Sequence, residues 1–397
     1  MSVETVNPRL PVAAIGAGVV AALVGFGSSF PIIIQGLVAI GATDRQAASG
    51  LMALSIAMGL SAVLLTLRHR IPVSIAWSTP GAALMISTGA VEGGFAAALG
   101  AIMLTGVLIV VAGIIRPFRD LVAKLPSSLA NAMLAGILLK LCLAPVEALA
   151  VSPQYVLPVI VIWLIVLRFA RLYAMPVAVA AVAVIIIVVA DLPVTSAAEL
   201  LPDPVVITPT FNWSAIISLT VPLFIVTMAS QNIPGIAVLR AYGYPPHIRD
   251  TFIVTGAGTF LGAPFGGHAI NYAAMTAAIC AGPESDPDPG RRWVAAFTAG
   301  VLYILLGCAA TFATVLIAAS PPMLIQAVAG LALLGALGSS LLGAMQEPAD
   351  RDAAILTFIV AASGMSFFGI GAAFWGLVAG VLVLGLSRWR RGGEPKR

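Results

Sequence analysis

Apolar runs of about twenty residues, the length that crosses a bilayer as a helix, follow one another along nearly all of this sequence. No other feature restricts the fold as severely. In lipid every backbone N–H and C=O must find its partner inside the protein, so such runs become helices packed on one another. The composition agrees: 60% of the 397 residues are hydrophobic and 9% are charged, against about 25% charged in a soluble domain. The expected class is an all-α polytopic membrane protein, and its formal charge of +4 is an orientation signal rather than a nucleic-acid one.

Fourteen spans can be counted. Seven lie in residues 11–40, 46–67, 71–90, 93–115, 126–143, 154–167 and 173–190. A connection at 191–212, containing prolines and acidic residues, separates them from 213–233, 251–262, 264–281, 293–319, 322–345, 353–363 and 367–386. An odd number per half sets the halves in opposite orientations, so the chain is expected to be a 7+7 inverted repeat. Its parts are residues 1–190, an external connection 191–212, residues 213–387 and a cytoplasmic tail 388–397. With the N-terminus inside, 18 of the 20 basic residues fall in inner loops or the tail, leaving Arg45 outside and Lys140 within a span. Basic residues in short loops set orientation, so both termini are expected in the cytoplasm. The polar stretch 1–10 does not read as a cleavable signal.

Two spans, the third and the tenth, are unlike the rest. Residues 263–282 include Pro264, Gly266, Gly267, His268, Asn271 and Tyr272, none of which a helix needs merely to cross. Residues 265–270 are predicted to be extended and 272–280 to form a short helix capped by Asn271. Residues 71–89 are the counterpart: with Pro72 opposite Pro264, Thr79 falls opposite Asn271 as a second cap, and Pro80 takes the first helical position. Two interrupted segments in corresponding places of two halves point to a binding site at the repeat interface. For either stretch alone, a kinked helix in a packed bundle is the alternative.

A half-helix that starts inside the membrane leaves N–H groups unpaired and presents a partial positive charge. Two such ends with no Asp or Glu between them suit an anion. Trp77, Phe265 and Tyr272 are candidate aromatic walls around a flat apolar body, and Gly266 and Gly267 let a ligand approach the backbone. In the eighth span, Ser230-Gln-Asn-Ile-Pro-Gly235 offers Gln231 and Asn232 as hydrogen-bond partners, either of a substrate or of the backbone that Pro234 interrupts. Gln35 is a weaker candidate of the same kind. His268 is the one histidine expected at membrane depth, as a protonatable ligand or as a structural residue, with His69 and His247 placed in loops. Lys140 can snorkel from near the outer end of its span, and Glu92 and Glu147 fall at span ends. Cys142, Cys280 and Cys308 read as small packing residues without metal or redox spacing. Hydrolase motifs (HExxH, GxSxG) and a nucleotide-binding GxxxxGK[ST] loop are missing. Neither an enzyme nor an ATP-driven pump is expected, and no cofactor or metal.

Trp77-Ser-Thr-Pro-Gly81, Ser230-Gln-Asn-Ile-Pro-Gly235 and Gly262-Ala-Pro-Phe-Gly-Gly-His-Ala-Ile-Asn271 resemble the motifs of the benzoate/proton symporter family. That family lies in the superfamily of the uracil, ascorbate and sulfate permeases, and the resemblance covers essentially the whole chain. It implies a core domain of spans 1–4 and 8–11 and a gate domain of spans 5–7 and 12–14. Substrate would lie between the facing ends of spans three and ten, among Trp77, Ser78, Thr79, Ser230, Gln231, Asn232, Phe265, Gly266, Gly267, His268, Asn271 and Tyr272. Gln231 and His268 fall where nucleobase permeases usually carry acidic or amide residues, and the missing carboxylates argue against a nucleobase. The expected activity is alternating-access import of an aromatic carboxylate, benzoate first, with protons across the inner membrane, with His268 as the proton-coupling candidate. A nucleobase or inorganic-anion permease of the same fold and an anion channel are the alternatives, and a homodimer is the assembly considered. The span count makes a prediction: cysteines placed at Arg119 and Asp191 label from opposite sides of the membrane, and labelling from one side contradicts it.

Overall fold

The structure is a computed structural model that describes residues 11–117, 126–189 and 203–392. Expectations for residues 1–10, for the loop through Arg119 and Lys124, for 190–202 and for the tail beyond 392 lie outside the described residues. The chain is helical nearly throughout. Helices α1 (Val12–Gly27) and α2 (Phe30–Ala39) form one apolar stretch. Then come α3 (Asp44–His69), β1 (Ile75–Trp77), α4 (Thr79–Thr88) and α5 (Gly94–Ile114). Next are α6 (Ser127–Val151), α7 (Pro153–Phe169) and α8 (Ala174–Val189), and then α9 (Trp213–Ala241), a continuous helix with π turns at Ile216–Thr220 and Met228–Asn232. Helix α10 (Ile248–Gly262), β2 (Ile270–Tyr272), α11 (Ala274–Ala281), α12 (Trp293–Gly307) and α13 (Ala310–Ala318) follow. The described chain closes with α14 (Pro322–Met345), α15 (Arg351–Ala362), the strands β3 (Ser366–Phe367) and β4 (Ile370–Gly371), and α16 (Ala372–Gly392). Among the described residues seven helices are long and apolar enough to cross a membrane, and α12 with α13, bent by 57°, make an eighth. The chain is a multi-pass membrane protein.

Packing divides the helices into two groups. Helix α6 lies along α14 and α15, α15 along α16, and α7 along α8. In the other group α3 packs on α12 and α10, α10 on α5, and α1 on α12. Small residues make these crossings close, as they must where lipid offers no hydrophobic drive between helices. A Cβ on Gly300 of α12 would lie 2.9 Å from the Gly59 carbonyl oxygen of α3. Many buried hydroxyls are satisfied within their own helices, as where Thr66 Oγ1 donates to Ala62 O (2.6 Å) and Thr255 Oγ1 to Thr251 O (2.8 Å). Such bonds let polar side chains sit in an apolar bundle without a partner on the next helix.

Several expectations need correction. Helix α6 does not stop at residue 143 but runs through Pro145 to Val151, because kinked helices are tolerated where neighbours cover the backbone. Pro234 does not interrupt α9. It lacks an N–H and its ring crowds the carbonyl one turn back, and the π turn Met228–Asn232 absorbs the extra room it needs. His69 is not in a loop: it closes α3, its ring stacks on His247 at 3.8 Å, and its Nε2 lies 3.1 Å from Asp250. Cys142 and Cys280 are buried as expected of packing residues, whereas Cys308 is exposed where the α12–α13 bend opens. Lys140, Glu92 and Glu147 are exposed.

Candidate functional site

Two stretches of non-helical backbone cross in the middle of the second helix group. Strand β1 pairs antiparallel with β2, with Ile75 opposite Tyr272, Ala76 opposite Asn271 and Trp77 opposite Ile270. The ladder extends one pair each way: Ser78 N donates to Ala269 O (2.9 Å) and Ala273 N to Ser74 O (3.0 Å). Extended backbone cannot satisfy itself as a helix does, so each stretch supplies what the other lacks. Further donors and acceptors come from flanking elements. Ile270 N donates to Thr259 Oγ1 of α10 (3.1 Å), and Tyr272 N to Asn232 Oδ1 on the second π turn of α9 (3.1 Å).

The strands run in opposite directions, so α4 and α11 leave the crossing at opposite ends. Their caps differ from those expected. Ser78 rather than Thr79 caps α4, its Oγ accepting from Gly81 N (3.1 Å). Thr227 Oγ1 lies 3.3 Å from the same Ser78 Oγ, within hydrogen-bond reach. Asn271 does not cap a helix: it sits mid-strand, and α11 begins at Ala274 behind Ala273, with no side chain capping it. The extended stretches ahead of the two short helices are Ile75–Trp77 and Ile270–Tyr272, three residues away from the proline-based register. The ladder decides this, because it satisfies several backbone groups where a side-chain cap satisfies one or two. Pro80 has no N–H and Gly81 N is taken. Ala274, Met275 and Thr276 of α11 keep their N–H groups free of any capping side chain.

Side chains alternate across the ladder. Ile75, Trp77, Ile270 and Tyr272 share the anchoring face. Trp77 Nε1 donates to Ser29 Oγ (2.9 Å) and its ring lies 5.3 Å from that of Phe26. Tyr272 donates its hydroxyl to Thr251 Oγ1 (2.7 Å) and meets Phe252 edge-on. The other face carries Asn271 among Ser74, Ala76, Ser78, Ala269 and Ala273. Asn271 is 0% exposed, and neither Oδ1 nor Nδ2 has a hydrogen-bond partner among the described residues. Neither ring nitrogen of His268, which is 1% exposed, has a hydrogen-bond partner among the described residues. Gln35 Nε2 on α2 is another such atom. Buried polar groups are nearly always bonded, so these are the groups that await something.

The remaining sequence candidates divide by what holds them. Gln231 is half-buried on the π turn, while Ser230 Oγ returns to Val226 O. Asn232 is bonded at both amide atoms: its Oδ1 holds β2, and its Nδ2 points to Met228 Sδ (3.4 Å). Phe265 ends a single 3-10 turn, Ala263–Phe265, where extended backbone was expected, and its carbonyl accepts from Ser49 Oγ (2.8 Å). Gly266 has φ +90°, and a Cβ there would lie 2.9 Å from Gln46 O, so close contact with α3 demands glycine. Gly267 N closes that turn on Gly262 O (3.0 Å), and Thr79 is half-buried at the start of α4. Sequence reasoning missed Ser29, Thr227, Thr251 and Thr259. Their only signal is a hydroxyl in an apolar stretch, within a helix for the three threonines and at the α1–α2 turn for Ser29.

These bonds predict opposite outcomes for two nearby amides. Asn232→Ala leaves Tyr272 N buried and unpaired, costing about 1–3 kcal/mol, whereas Asn271→Ala removes groups that are already unpaired and costs little or stabilises. Thermal unfolding in detergent measures both, and equal losses contradict the assignment.

The family described as benzoate membrane transport protein matches residues 9–386. The inner membrane protein YdcO of Escherichia coli (strain K12) is 43% identical over 366 residues, covering 92% of this chain and 93% of that protein. The benzoate membrane transport protein of Acinetobacter baylyi is 31% identical over 367 residues, with 92% and 93% covered. Among solved structures, the murine anion transporter Slc26a9 in the inward-facing state has a TM-score of 0.65 at 11% identity, over 99% of this chain and 70% of that one. The transmembrane domain of the cyanobacterial bicarbonate transporter BicA has a TM-score of 0.59 at 15% identity, over 96% and 98%. Those two structures share the fold.

Proposed function

The chain belongs to the benzoate membrane transport protein family, and on that premise we propose that it imports an aromatic carboxylate, benzoate first, together with protons. The frame of this reading is a fourteen-span inverted repeat: α1–α2, α3, β1–α4, α5, α6, α7 and α8, then α9, α10, β2–α11, α12–α13, α14, α15 and α16. The core is α1–α5 with α9–α13, and the gate is α6–α8 with α14–α16. The two packing groups support that division. Substrate crosses by alternating access as the core shifts against the gate, in an inner membrane with both termini in the cytoplasm.

One observation carries the site: a fully buried amide, Asn271, with no partner, three residues before the start of a helix whose first N–H groups have no capping side chain. A carboxylate accepts hydrogen bonds only. It would take them from Asn271 Nδ2 and from the Ala274, Met275 and Thr276 amides, with the helix dipole behind them. Neither 71–90 nor 262–282 contains a Lys, Arg, Asp or Glu, so no permanent charge holds the anion and it can be released on the other side. The site is one-sided, because Ser78 closes the corresponding end of α4. Trp77 and Tyr272 hold the ladder from behind, while Gln231, Thr79, Ser230 and Phe265 line the approach.

Ala273→Ser tests the site. Serine is a preferred N-cap, so α11 gains about 0.5–2 kcal/mol, but its oxygen occupies the donors the carboxylate needs. Stability in detergent rises while benzoate affinity, measured by calorimetry, falls about fivefold, the equivalent of roughly 1 kcal/mol. Unchanged affinity moves the site elsewhere.

His268 supplies the proton-accepting group in this reading. Both ring nitrogens are unpaired, imidazole titrates near physiological pH, and a bound carboxylate and a bound proton would each strengthen the other's binding. In proteoliposomes an imposed gradient, acidic outside, drives labelled benzoate to accumulate, and His268→Gln abolishes that response while leaving downhill exchange. Accumulation by His268→Gln equal to the parent's removes His268 as the coupling group, and uptake that never exceeds equilibrium in the parent indicates a channel.

A further inference from the structure

The two helix groups also meet at a hairpin. Ser366 pairs with Gly371 and Phe367 with Ile370, and the chain turns through Phe368 (φ 52°) and Gly369 (φ 72°). Two successive left-handed residues make the tight turn whose twist matches the flanking strands. A large aromatic residue is a strained occupant of its first position, and the Phe368 side chain is 80% exposed. Its ring rests only on that of its neighbour Phe367 (4.3 Å), within the hairpin itself, so the strained conformation serves the turn rather than burial in the bundle.

That turn aims one carbonyl. The base of the hairpin belongs to α16, where Trp375 Nε1 donates to Phe367 O (3.1 Å) and the two rings lie 5.6 Å apart. Its tip crosses to the other group. Gly369 O accepts from both Ser214 Oγ (3.0 Å) and Ser218 Oγ (3.2 Å), at the start of α9 and on its first π turn. A Cβ on Gly371 would lie 3.8 Å from Thr88 Cγ2, at the end of α4. So the gate-side hairpin touches two core elements, one of them the short helix that leaves the strand crossing. In the fourteen-span topology all of these residues are on the outer side.

We propose that the β3–β4 hairpin is an outer latch, which ties the core to the gate in this conformation and lets go once in each transport cycle. The proposal rests on the alternating-access reading given above. Its chemistry suits repeated opening. One neutral carbonyl shared by two hydroxyls at a partly exposed site is readily replaced by water on both sides, with no charge left buried when it parts. The strained turn keeps the carbonyl aimed for re-engagement. Movement of α4 with the core would carry Thr88 away from Gly371 as the Ser214 and Ser218 bonds break.

Two experiments on the full chain test this. The first uses Thr88→Cys with Gly371→Cys in a Cys308→Ser background. The reduced protein transports benzoate in proteoliposomes near the parental rate. Oxidation to the disulfide lowers uptake at least tenfold while benzoate binding in detergent persists, and dithiothreitol restores it. Cross-linked protein that transports as fast as the reduced form overturns the latch. The second needs no substrate, so it can fail separately from the transport reading. Ser214→Ala with Ser218→Ala, added to Thr88→Cys in the same background, raises labelling of the thiol introduced at position 88 by a membrane-impermeant maleimide from outside severalfold. Labelling unchanged from that of Thr88→Cys alone overturns the latch whatever the substrate is.

Discussion

The structure depends on the hydrogen bonds between β1 and β2. A bilayer offers no water to exposed backbone, so a chain can leave the helical conformation at that depth only where another non-helical stretch, or a flanking side chain, takes up the freed groups. Here residues 74–78 and 269–273 do this for each other. Thr259, Asn232 and Ser78 complete the satisfaction at the edges. Neither stretch would be tolerated without the other. That mutual need explains why the two non-helical stretches come as a pair.

The same bonds decide which residues are left over. On one face of the ladder the polar tips of Trp77 and Tyr272 are consumed in holding the sheet to the α1–α2 junction and to α10. On the other, Asn271 faces small side chains and has no hydrogen-bond partner among the described residues. The two amides therefore differ sharply: Asn232 supports the backbone and Asn271 is left unbonded. A site built from helix-end dipoles and neutral amides, without a fixed cation, can hold a carboxylate and still release it, which a carrier needs and a buried ion pair would hinder.

Much of this was legible in the residues. Apolar runs showed where the helices lie, and Pro264, Gly266, Gly267 and their counterparts around Pro80 showed where helix gives way to something else. Periodicity could not show what that something was. A three-residue strand buried on both faces has no pattern of its own, and the cap-forming reputation of Thr79 and Asn271 points to a register three residues away from the one the two strands give. Capping is a local interaction, visible in sequence, whereas the pairing of residues 76 and 271 joins distant parts of the chain. The π turn beside Pro234 escaped for a related reason: proline announces a lost hydrogen bond, but whether the helix breaks or bulges is settled by what packs around it. Hydroxyls such as Thr251 and Thr259 become meaningful only once their distant partners are known.

The central claim is that the free end of α11, with Asn271, receives the substrate's carboxylate. Amide chemical shifts test it most directly, in protein labelled with nitrogen-15 at alanine, methionine and threonine and titrated with benzoate in detergent micelles. The account predicts saturable shifts at Ala274, Met275 and Thr276, with the Gly81 amide, already bonded to Ser78, unmoved in a glycine-labelled sample. Saturable binding that shifts Gly81 and leaves those three amides unchanged would contradict it.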